Sequence, residues 1–325
     1  MVAVLVLPGM ITDTSPTLVA ILGAGPAGMS CANACLSFGL RPVVIERGDH
    51  AGGAQRTNFH PNLWMLGAPG ESGETMTRRM AEHFGELGVE SRFRTQVVRV
   101  EQADAGFAMT LKDREGRETL LHAAAIVLAT GMRPHATPAL EALARQSPRV
   151  IVGPLSDTIR DDIHQQRVLI LGGGDNALDH ALFLAERGNR VVVCTRGRFS
   201  ARAGFLSSCG GRSDVSLRAD CPGPDIALTG SGLRAAWPAG SEDFDWLLVM
   251  YGYRPNTDVL AGFAPGLEPD LIDSGHVRVD TWQRTSTPGV YAAGDLTAPP
   301  QPSVPTAIAQ GLAAARAIER DRRRD

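Results

Sequence analysis

The chain has 325 residues, of which 43% are hydrophobic and 21% charged, and its formal net charge is −3. This length allows two domains with full cores, and the small net charge gives no reason to expect nucleic acid or an anionic membrane as a partner. Five cysteines, an odd number, and an apolar start without a basic flank predict reduced thiols in a cytoplasmic protein. Residues 1–10 are far shorter than the roughly 20 that span a bilayer, and we expect 1–16 to be a disordered extension.

The stretch Leu18–Asp49 is predicted to form an apolar strand, a glycine turn, a helix and a second apolar strand. The turn suits a dinucleotide, because Gly23 permits a tight turn, Gly25 lets the backbone approach a pyrophosphate and Gly28 lets the helix pack closely on the strand. Glu46 ends the second strand, where a carboxylate can accept hydrogen bonds from ribose hydroxyls. The predicted cofactor contacts of this unit are Gly23, Gly25, Pro26, Ala27, Gly28, Glu46 and Arg47.

The part of the chain after Asp49 is predicted to cover the ligand and then return to the sheet. The predicted elements are a loop over 52–70, a helix over 71–87, a meander of strands near 97–100, 107–111 and 120–124, and a buried strand over 123–129. Gly53 and Ala54, in the loop, are expected to contact the ligand. Thr130-Gly131, at the end of the buried strand, is a further predicted contact.

The opening unit is used a second time. Residues 168–198 repeat the order of strand, glycine turn, helix and strand at a shift of 149 residues. A second correspondence, at a shift of 121, lays 126–134 on 247–255, so that Gly252 stands where the first unit has Gly131. The predicted cofactor contacts of the second unit are Gly172, Gly174, Asp175, Asn176, Ala177, Thr195, Arg196, Arg198 and Gly252.

Two prolines mark where the chain passes between the repeated units. Pro134 and Pro255 each follow a core strand that must leave its sheet, because proline disfavours a helical residue before it. We therefore predict a first domain over 1–133, an inserted domain over 134–254 and a return to the first domain over 255–325. The predicted fold class is α/β, with two Rossmann-like dinucleotide-binding domains, one inserted in the other.

The returning part is predicted to hold a buried strand ending at Gly294-Asp295 and a last helix over 303–316. With the two glycine turns, these features resemble the two-dinucleotide flavoprotein oxidoreductases, and within them the small thioredoxin-reductase-like branch. The resemblance covers about 18–319 and implies FAD in the first domain, a nicotinamide cofactor in the inserted one, and a homodimer. It also implies that Asp295 hydrogen-bonds the ribityl chain of the flavin. The last helix would present its N-terminal dipole, and the Val304 N–H, to the flavin.

The cysteine pattern departs from that branch. Thioredoxin reductases carry a Cys-x-x-Cys pair shortly before the second glycine turn, where this chain has 151–157, and larger disulfide reductases carry theirs where it has 54–60. Neither stretch contains cysteine. Cys209 and Cys221 could approach each other, but we expect them to be incidental thiols. The predicted function is therefore transfer of electrons from NADPH through FAD to an external small molecule or small redox protein, with no catalytic side chain and no metal.

Two other function classes stay open from the sequence. One is a disulfide reductase or dithiol oxidase, and the other is a non-catalytic flavin- or nucleotide-sensing module. The ferredoxin–NADP reductases of this fold usually cover the flavin with an aromatic ring from a C-terminal extension, for which this chain is too short. Phe59, His60 or Trp64 are the candidates to cover it here.

The end of the second unit favours NADPH over NADH. Under the 149-residue shift, the ribose-binding Glu46 of the first unit corresponds to the neutral Thr195. An acid at that position would repel the 2′-phosphate of NADPH. Arg196 and Arg198 follow, and guanidinium groups form strong charge-assisted hydrogen bonds with phosphate.

Overall fold

The computed structural model describes residues 17–62 and 65–323. The extension predicted over 1–16, and Trp64, lie outside the described residues. The helices are α1 (Pro26–Ser37), α2 (Gly73–Glu86), α3 (Pro138–Gln146), α4 (Asp157–Asp161), α5 (Asp175–Ala185), α6 (Ala203–Gly210) and α7 (Val304–Arg322). The strands are β1 (Leu18–Leu22), β2 (Arg41–Ile45), β3 (Glu90–Arg92), β4 (Thr95–Ala103), β5 (Gly106–Asp113), β6 (Glu118–Ala123), β7 (Ala125–Leu128), β8 (Met132–Pro134), β9 (Val150–Val152), β10 (Arg167–Leu171), β11 (Arg190–Cys194), β12 (Val215–Arg218), β13 (Asp225–Leu228), β14 (Leu233–Trp237), β15 (Gly240–Phe244), β16 (Trp246–Val249), β17 (Tyr253–Pro255) and β18 (Val290–Ala292).

The first sheet has five parallel strands in the order β18-β7-β1-β2-β3. Its central strands are apolar throughout because both faces are covered, as is usual for parallel sheets. Val19 and Ile21 of β1 face a core that includes α1 and α7, whereas Ala20 and Leu22 face the predicted meander, which is β4-β5-β6. The first sheet and its neighbours therefore form three layers: helices, parallel sheet and antiparallel sheet.

The second sheet repeats this plan, with five parallel strands in the order β12-β11-β10-β16-β9. Helices α5 and α6 cover one face, and a second meander, β13-β14-β15, covers the other. The fifth strand differs in origin between the two sheets. In the first sheet it is β18, from the returning part of the chain, whereas in the second it is β9, which precedes the repeated unit.

The two passages between the sheets lie side by side. Strands β8 and β17 pair as an antiparallel ribbon in which Arg133 is opposite Arg254. Each arginine is ion-paired, Arg133 with Asp258 and Arg254 with Glu141. We propose the domain limits 1–133, 134–254 and 255–325 on this basis, because the chain leaves and re-enters the first sheet at this ribbon.

Helix α7 begins where the sequence indicates and ends later. Ser303 is its N-cap and its hydroxyl accepts the Thr306 N–H at 3.3 Å. The helix continues past the predicted end at 316 to Arg322 because its last turns make tertiary contacts. Asp321 accepts hydrogen bonds from Arg284 at 2.6 Å and from the Tyr291 hydroxyl at 2.8 Å. The predicted loop over 52–70 also contains a 3-10 turn over Gly53–Thr57.

Candidate functional site

The first glycine turn joins β1 to α1 at the carboxyl edge of the first sheet. Gly23 has a φ of +110°, and a Cβ on it would lie 2.4 Å from the Ala129 carbonyl oxygen. A Cβ on Gly28 would lie 1.9 Å from the Gly23 oxygen, so the helix start contacts the turn directly. A Cβ on Gly25 would meet the Cα of Gly53 at 4.0 Å, so two glycines face each other across a narrow gap. This arrangement leaves a helix start that a phosphate can approach closely.

Glu46 follows β2, and two backbone N–H groups hold its carboxylate beside the turn. Its Oε2 accepts the Ala24 N–H at 2.8 Å, and its Oε1 accepts the Gly48 N–H at 2.7 Å. Each oxygen keeps a further lone pair for a hydroxyl donor, because a carboxylate has about four acceptor positions. The neighbouring Arg47 is exposed.

Asp295 follows β18 and contains an unsatisfied buried oxygen. Its Oδ1 has no hydrogen-bond partner among the described residues. Burial raises the pKa of Asp295, and burial together with the nearby Asp295 charge raises the pKa of Tyr253 to about 12. A buried acceptor without a donor is unfavourable, so this position fits a ligand that supplies a hydroxyl.

The start of α7 lies against the turn that carries Asp295. A Cβ on Gly294 would lie 4.0 Å from the Cβ of Ala307, and Gln310 accepts the Gly294 N–H at 2.8 Å. The predicted donor residue Val304 is buried in the first turn of this helix. Gln310 was not among the predicted site residues, because nothing in the sequence pattern of α7 marks it as the partner of a turn 16 residues earlier.

Thr130 and Gly131 lie at the crossing between the two sheets. The Thr130 hydroxyl donates to the Asn256 carbonyl at 2.7 Å, and the Asn256 N–H donates to the Gly131 carbonyl at 2.9 Å. The Asn256 amide also donates to the Thr130 carbonyl at 3.3 Å. Thr130 and Gly131, both predicted contact residues, therefore bind the returning chain through Asn256. Asn256 was not among the predicted site residues.

The second glycine turn borders a cavity of about 460 Å³. A Cβ on Gly172 would lie 2.3 Å from the Met250 carbonyl oxygen, as a Cβ on Gly23 would from Ala129 in the first unit. The predicted contacts that line this cavity are Gly172, Gly174, Asp175, Asn176, Ala177, Thr195, Arg196 and Gly252. The Asp175 carboxylate accepts from Arg202 at 2.7 Å, which balances a negative charge at the start of α5.

Residues 17–311 match the model of the pyridine nucleotide-disulphide oxidoreductase family. The chain belongs to this family. A ferredoxin–NADP reductase from Limosilactobacillus fermentum is 29% identical over 296 residues, which cover 85% of this chain and 84% of the relative. A thioredoxin reductase from Peptoclostridium acidaminophilum is 26% identical over 318 residues, which cover 93% and 96%. The solved structure of T. acidophilum thioredoxin reductase has a TM-score of 0.77 at 22% identity, over 94% of this chain and 98% of that one, and so shares the fold.

Family membership makes the chain an NAD(P)H-dependent flavoprotein oxidoreductase with two Rossmann-like domains, one inserted in the other. Both cofactor classes fit the residues present. The first turn, Glu46 and the unpartnered Asp295 oxygen suit the phosphates, the ribose and a hydroxyl chain of FAD. The 460 Å³ cavity beside the second turn suits a nicotinamide dinucleotide. Within 17–62 and 65–323, no helix is long and apolar enough to cross a membrane.

The two arginines after Thr195 are placed differently. Arg196 lines the cavity, with its guanidinium 5.6 Å from the centre of the Tyr251 ring. Both arginines are exposed, but Arg198 is not among the residues that line the cavity. Thr195 lies at the cavity wall, where a Cβ on Gly173 would be 2.7 Å from its Oγ1. Of the two predicted arginines, the structure therefore brings one to the site.

Cys209 and Cys221, which the sequence allowed to approach each other but which were expected to be incidental thiols, lie in different parts of the inserted domain. Cys209 is buried among the residues that pack α5 and α6, and its thiol contacts the Leu178 carbonyl at 3.6 Å. Cys221 instead lies beside Cys194, which ends β11, and both line the second cavity. The suggestion that Cys209 and Cys221 approach each other is therefore wrong, because Cys209 packs in the core beneath α6 and Cys221 lies beside the end of β11.

Phe59 and His60, two of the candidates to cover the flavin, pack on the inserted domain. The Phe59 ring centre lies 4.7 Å from that of Phe183 in α5, and His60 Nδ1 lies 3.3 Å from Asp179. His180 completes a cluster whose ligand atoms lie within 4.8 Å of one another. Both His180 ring nitrogens face carbonyl oxygens, at 2.8 and 3.0 Å, so this cluster is a packing contact and does not present a metal site.

Proposed function

We propose that this protein transfers electrons from NADPH through FAD to an acceptor outside its own chain, and that no internal redox dithiol carries electrons along that path. The placement of the five thiols carries this proposal. Cys31, Cys35 and Cys209 are buried in helix-packing cores, and Cys194 and Cys221 line the nicotinamide-nucleotide cavity. The acceptors we propose are a ferredoxin or flavodoxin, ferric iron, a quinone or a similar compound.

The side chains of the first domain bind and orient the flavin. When bound, FAD accepts a hydride from the nicotinamide and gives up electrons one or two at a time. Glu46 would accept hydrogen bonds from the ribose hydroxyls, and Asp295 from a hydroxyl of the ribityl chain. The start of α7 would offer N–H groups and the positive end of its dipole to the flavin. No side-chain acid or base is needed for the hydride step.

The relatives support this choice of acceptor class. The chain is similar to ferredoxin–NADP reductases and to thioredoxin reductases alike. A thioredoxin reductase of this branch needs its Cys-x-x-Cys pair, and 151–157 contains no cysteine. The ferredoxin–NADP reductase activity therefore fits this chain better.

We also propose NADPH as the preferred nucleotide. Arg196 reaches the cavity beside Thr195, and neither residue repels a 2′-phosphate. Two further proposals rest on the family resemblance and on the cysteine count: the protein is a homodimer and is cytoplasmic. Light scattering of the purified, FAD-loaded protein tests the first of these.

An acceptor screen tests the main proposal. The FAD-loaded enzyme is given NADPH under anaerobic conditions, and the rate of NADPH consumption is followed with ferredoxin, flavodoxin, a ferric chelate, a quinone, thioredoxin or a small disulfide. We expect turnover with one of the first four acceptors and none with the disulfides. Turnover only with disulfides would replace the proposal with a disulfide reductase, and slow reduction with every acceptor would favour a nucleotide-sensing module.

A further inference from the structure

Two thiols meet at the wall of the second cavity. Cys194 is the last residue of β11, and Cys221 lies three residues after β12 ends at Arg218. The Cys221 N–H donates to the Thr195 carbonyl at 2.9 Å, which holds the two backbone segments together. Both side chains line the same cavity, and the Cys221 thiol, which also contacts the Pro222 carbonyl at 3.6 Å, is close enough to add to the effect of burial in raising the pKa of Cys194. Cys194 is buried and Cys221 is half-buried, so solvent reaches the pair from the Cys221 side.

A second cysteine pair in the same chain provides a comparison. Cys31 and Cys35 lie one turn apart on α1, and Cys35 is close enough to raise the pKa of Cys31. Both are fully buried in the core that includes α1 and α7. A dissolved oxidant therefore reaches the pair at the cavity and does not reach the pair on α1.

We propose that Cys194 and Cys221 are an oxidant-sensitive dithiol, which a hydroperoxide converts to a disulfide that weakens nucleotide binding in the adjacent cavity. Cys221 first gives its proton to solvent, and the thiolate attacks one peroxide oxygen. The O–O bond breaks, Cys221 becomes a sulfenic acid, and the departing hydroxide or alkoxide takes up a proton from solvent and leaves as water or an alcohol. The Cys194 sulfur then displaces the hydroxyl of that sulfenic acid, which leaves as water with the Cys194 proton. The two sulfurs lose two electrons in forming the S–S bond, and the peroxide gains both.

The surroundings assign the two roles. Burial, with the neighbouring Cys221, raises the pKa of Cys194 to about 12, although the positive charge of Arg218 opposes this rise. A thiol of that kind is a poor attacking group, because the thiolate is the nucleophile. Cys194 is therefore the resolving thiol. Cys221, on the more exposed segment, is the one that meets the oxidant first.

Backbone hydrogen bonds beside each cysteine explain how a disulfide would narrow the cavity. This part of the inference rests on the proposed function of the cavity as the NADPH site. The Cys194 carbonyl accepts the Gly172 N–H at 2.9 Å, as the Ile45 carbonyl accepts the Gly23 N–H at 2.8 Å in the first unit. A disulfide draws the sulfurs to about 2 Å from each other. The segment that carries Cys221 and Gly223 then moves toward Thr195, which narrows the cavity where the 2′-phosphate end of the nucleotide would bind.

The test uses the FAD-loaded full-length protein, which is fully reduced, freed of reductant and treated with hydrogen peroxide. Free thiols are then alkylated and the peptides are identified by mass spectrometry. We expect a Cys194–Cys221 cross-linked peptide that disappears after dithiothreitol treatment, with Cys31 and Cys35 still alkylatable after unfolding. Saturation with 2′,5′-ADP before oxidation should slow the cross-link, because the bound ligand occupies the space into which the Cys221 segment must move.

Binding of 2′,5′-ADP and of ADP-ribose, which do not reduce the flavin, gives the second measurement. Oxidation should weaken binding by at least about tenfold, a change of about 1.4 kcal/mol in binding free energy. Cys221→Ser should remove this sensitivity to peroxide, and Cys209→Ser, which changes a buried thiol elsewhere, should keep it. Separate over-oxidation of Cys221 without a cross-link, or a cross-link that leaves both affinities unchanged, would overturn the inference.

The same measurement separates this inference from the proposed function. If the reduced protein binds ADP-ribose and not 2′,5′-ADP, the proposed NADPH preference is wrong, and the ADP-ribose affinities still decide the effect of the disulfide. If the reduced protein binds neither, the proposed nucleotide site is wrong and the effect on binding is overturned with it. The cross-linked peptide reports on the dithiol in either case.

Discussion

Asp295 and Arg196 show how strongly the proposed sites depend on single side chains. Asp295 has a buried oxygen without a partner among the described residues, and Arg196 is the arginine that reaches the second cavity. For Asp295, the substitution Asp295→Asn removes the charge and keeps the side chain in position. For Arg196, the nearby Arg198 carries the same charge outside the cavity. Their contributions can therefore be measured one at a time.

Replacing Asp295 is expected to lower flavin retention. Asp295→Ala removes the acceptor for a ribityl hydroxyl and leaves the purified protein with less FAD per chain, measured from its absorbance and from flavin released by heating. Asp295→Asn keeps one acceptor oxygen and should lie between the wild type and Asp295→Ala. Full FAD occupancy in Asp295→Ala would show that this residue does not bind the cofactor.

Replacing Arg196 is expected to remove most of the preference for NADPH over NADH. A guanidinium–phosphate contact of roughly 1.5–3 kcal/mol corresponds to a preference of about ten- to a hundredfold in kcat/KM. Arg198→Ala removes the same charge from outside the cavity and should change the preference much less. Equal effects of the two substitutions would show that the arginines act through their long-range electrostatic field. Equal use of NADPH and NADH by the wild type would contradict the proposed preference.

Helices α7 and α5 each make close contacts with neighbouring backbone groups. Helix α7 packs so closely on α1 that a Cβ on Gly311 would lie 2.2 Å from the Ala27 carbonyl oxygen, and Ser30 donates to the Ile308 carbonyl at 2.8 Å. Helix α5 holds His180 between two carbonyl groups. Both arrangements predict measurable effects on stability.

Gly311→Ala is expected to destabilise the first domain. The methyl group meets backbone atoms of α1, so the helices must separate, at a cost of about 1–3 kcal/mol in the free energy of unfolding. Gly85→Ala, at a helical position in α2 with no atom within 4 Å of the added Cβ, should instead stabilise by roughly 0.5–1 kcal/mol. Denaturant unfolding measures both, and a neutral Gly311→Ala would contradict the close helix contact.

His180 is expected to make stability depend on pH. Burial, with a smaller effect from His60, lowers the pKa of His180 to about 4, against 6.5 for an ordinary histidine. The unfolded chain therefore binds a proton more readily, so stability is lost as the pH falls from about 6.5 toward 4, by up to about 3 kcal/mol. The matched variant His180→Asn should lose this part of the dependence in urea unfolding at several pH values. If stability falls with pH just as steeply in His180→Asn, other titrating groups cause the dependence.

Three thiols, Cys31, Cys35 and Cys209, are buried in packing cores, and Cys194 and Cys221 lie at the second cavity. We therefore predict that the whole molecule transfers electrons without a thiol. A variant with every cysteine replaced by Ser or Ala is expected to keep NADPH-dependent reduction of artificial one-electron acceptors, provided that it folds and holds FAD. Single Cys209→Ser and Cys221→Ser variants serve as controls for folding. Loss of this activity in either single variant with full FAD would favour a disulfide mechanism.

Local sequence determined both dinucleotide-binding units. Gly23 and Gly172 have φ values of +110° and +146°, and Gly28 packs directly on the Gly23 carbonyl. The 149-residue shift identified the second unit because both units have the same order of strand, glycine turn and helix. The central strands were predictable as buried because a parallel sheet covered on both faces requires continuous apolar runs. The inserted arrangement followed from the second correspondence, at a shift of 121 residues.

Only the tertiary structure decided which distant residues meet. Asn256 binds Thr130, and Cys221 lies beside Cys194, which the spacing of these residues along the chain does not predict. The same holds for the choice between Arg196 and Arg198, since only the folded structure shows that Arg196 is the one that lines the cavity. Contacts of this kind depend on where loops and meanders return to the sheets, and a single sequence records the local preferences of a segment without recording the partner it will meet.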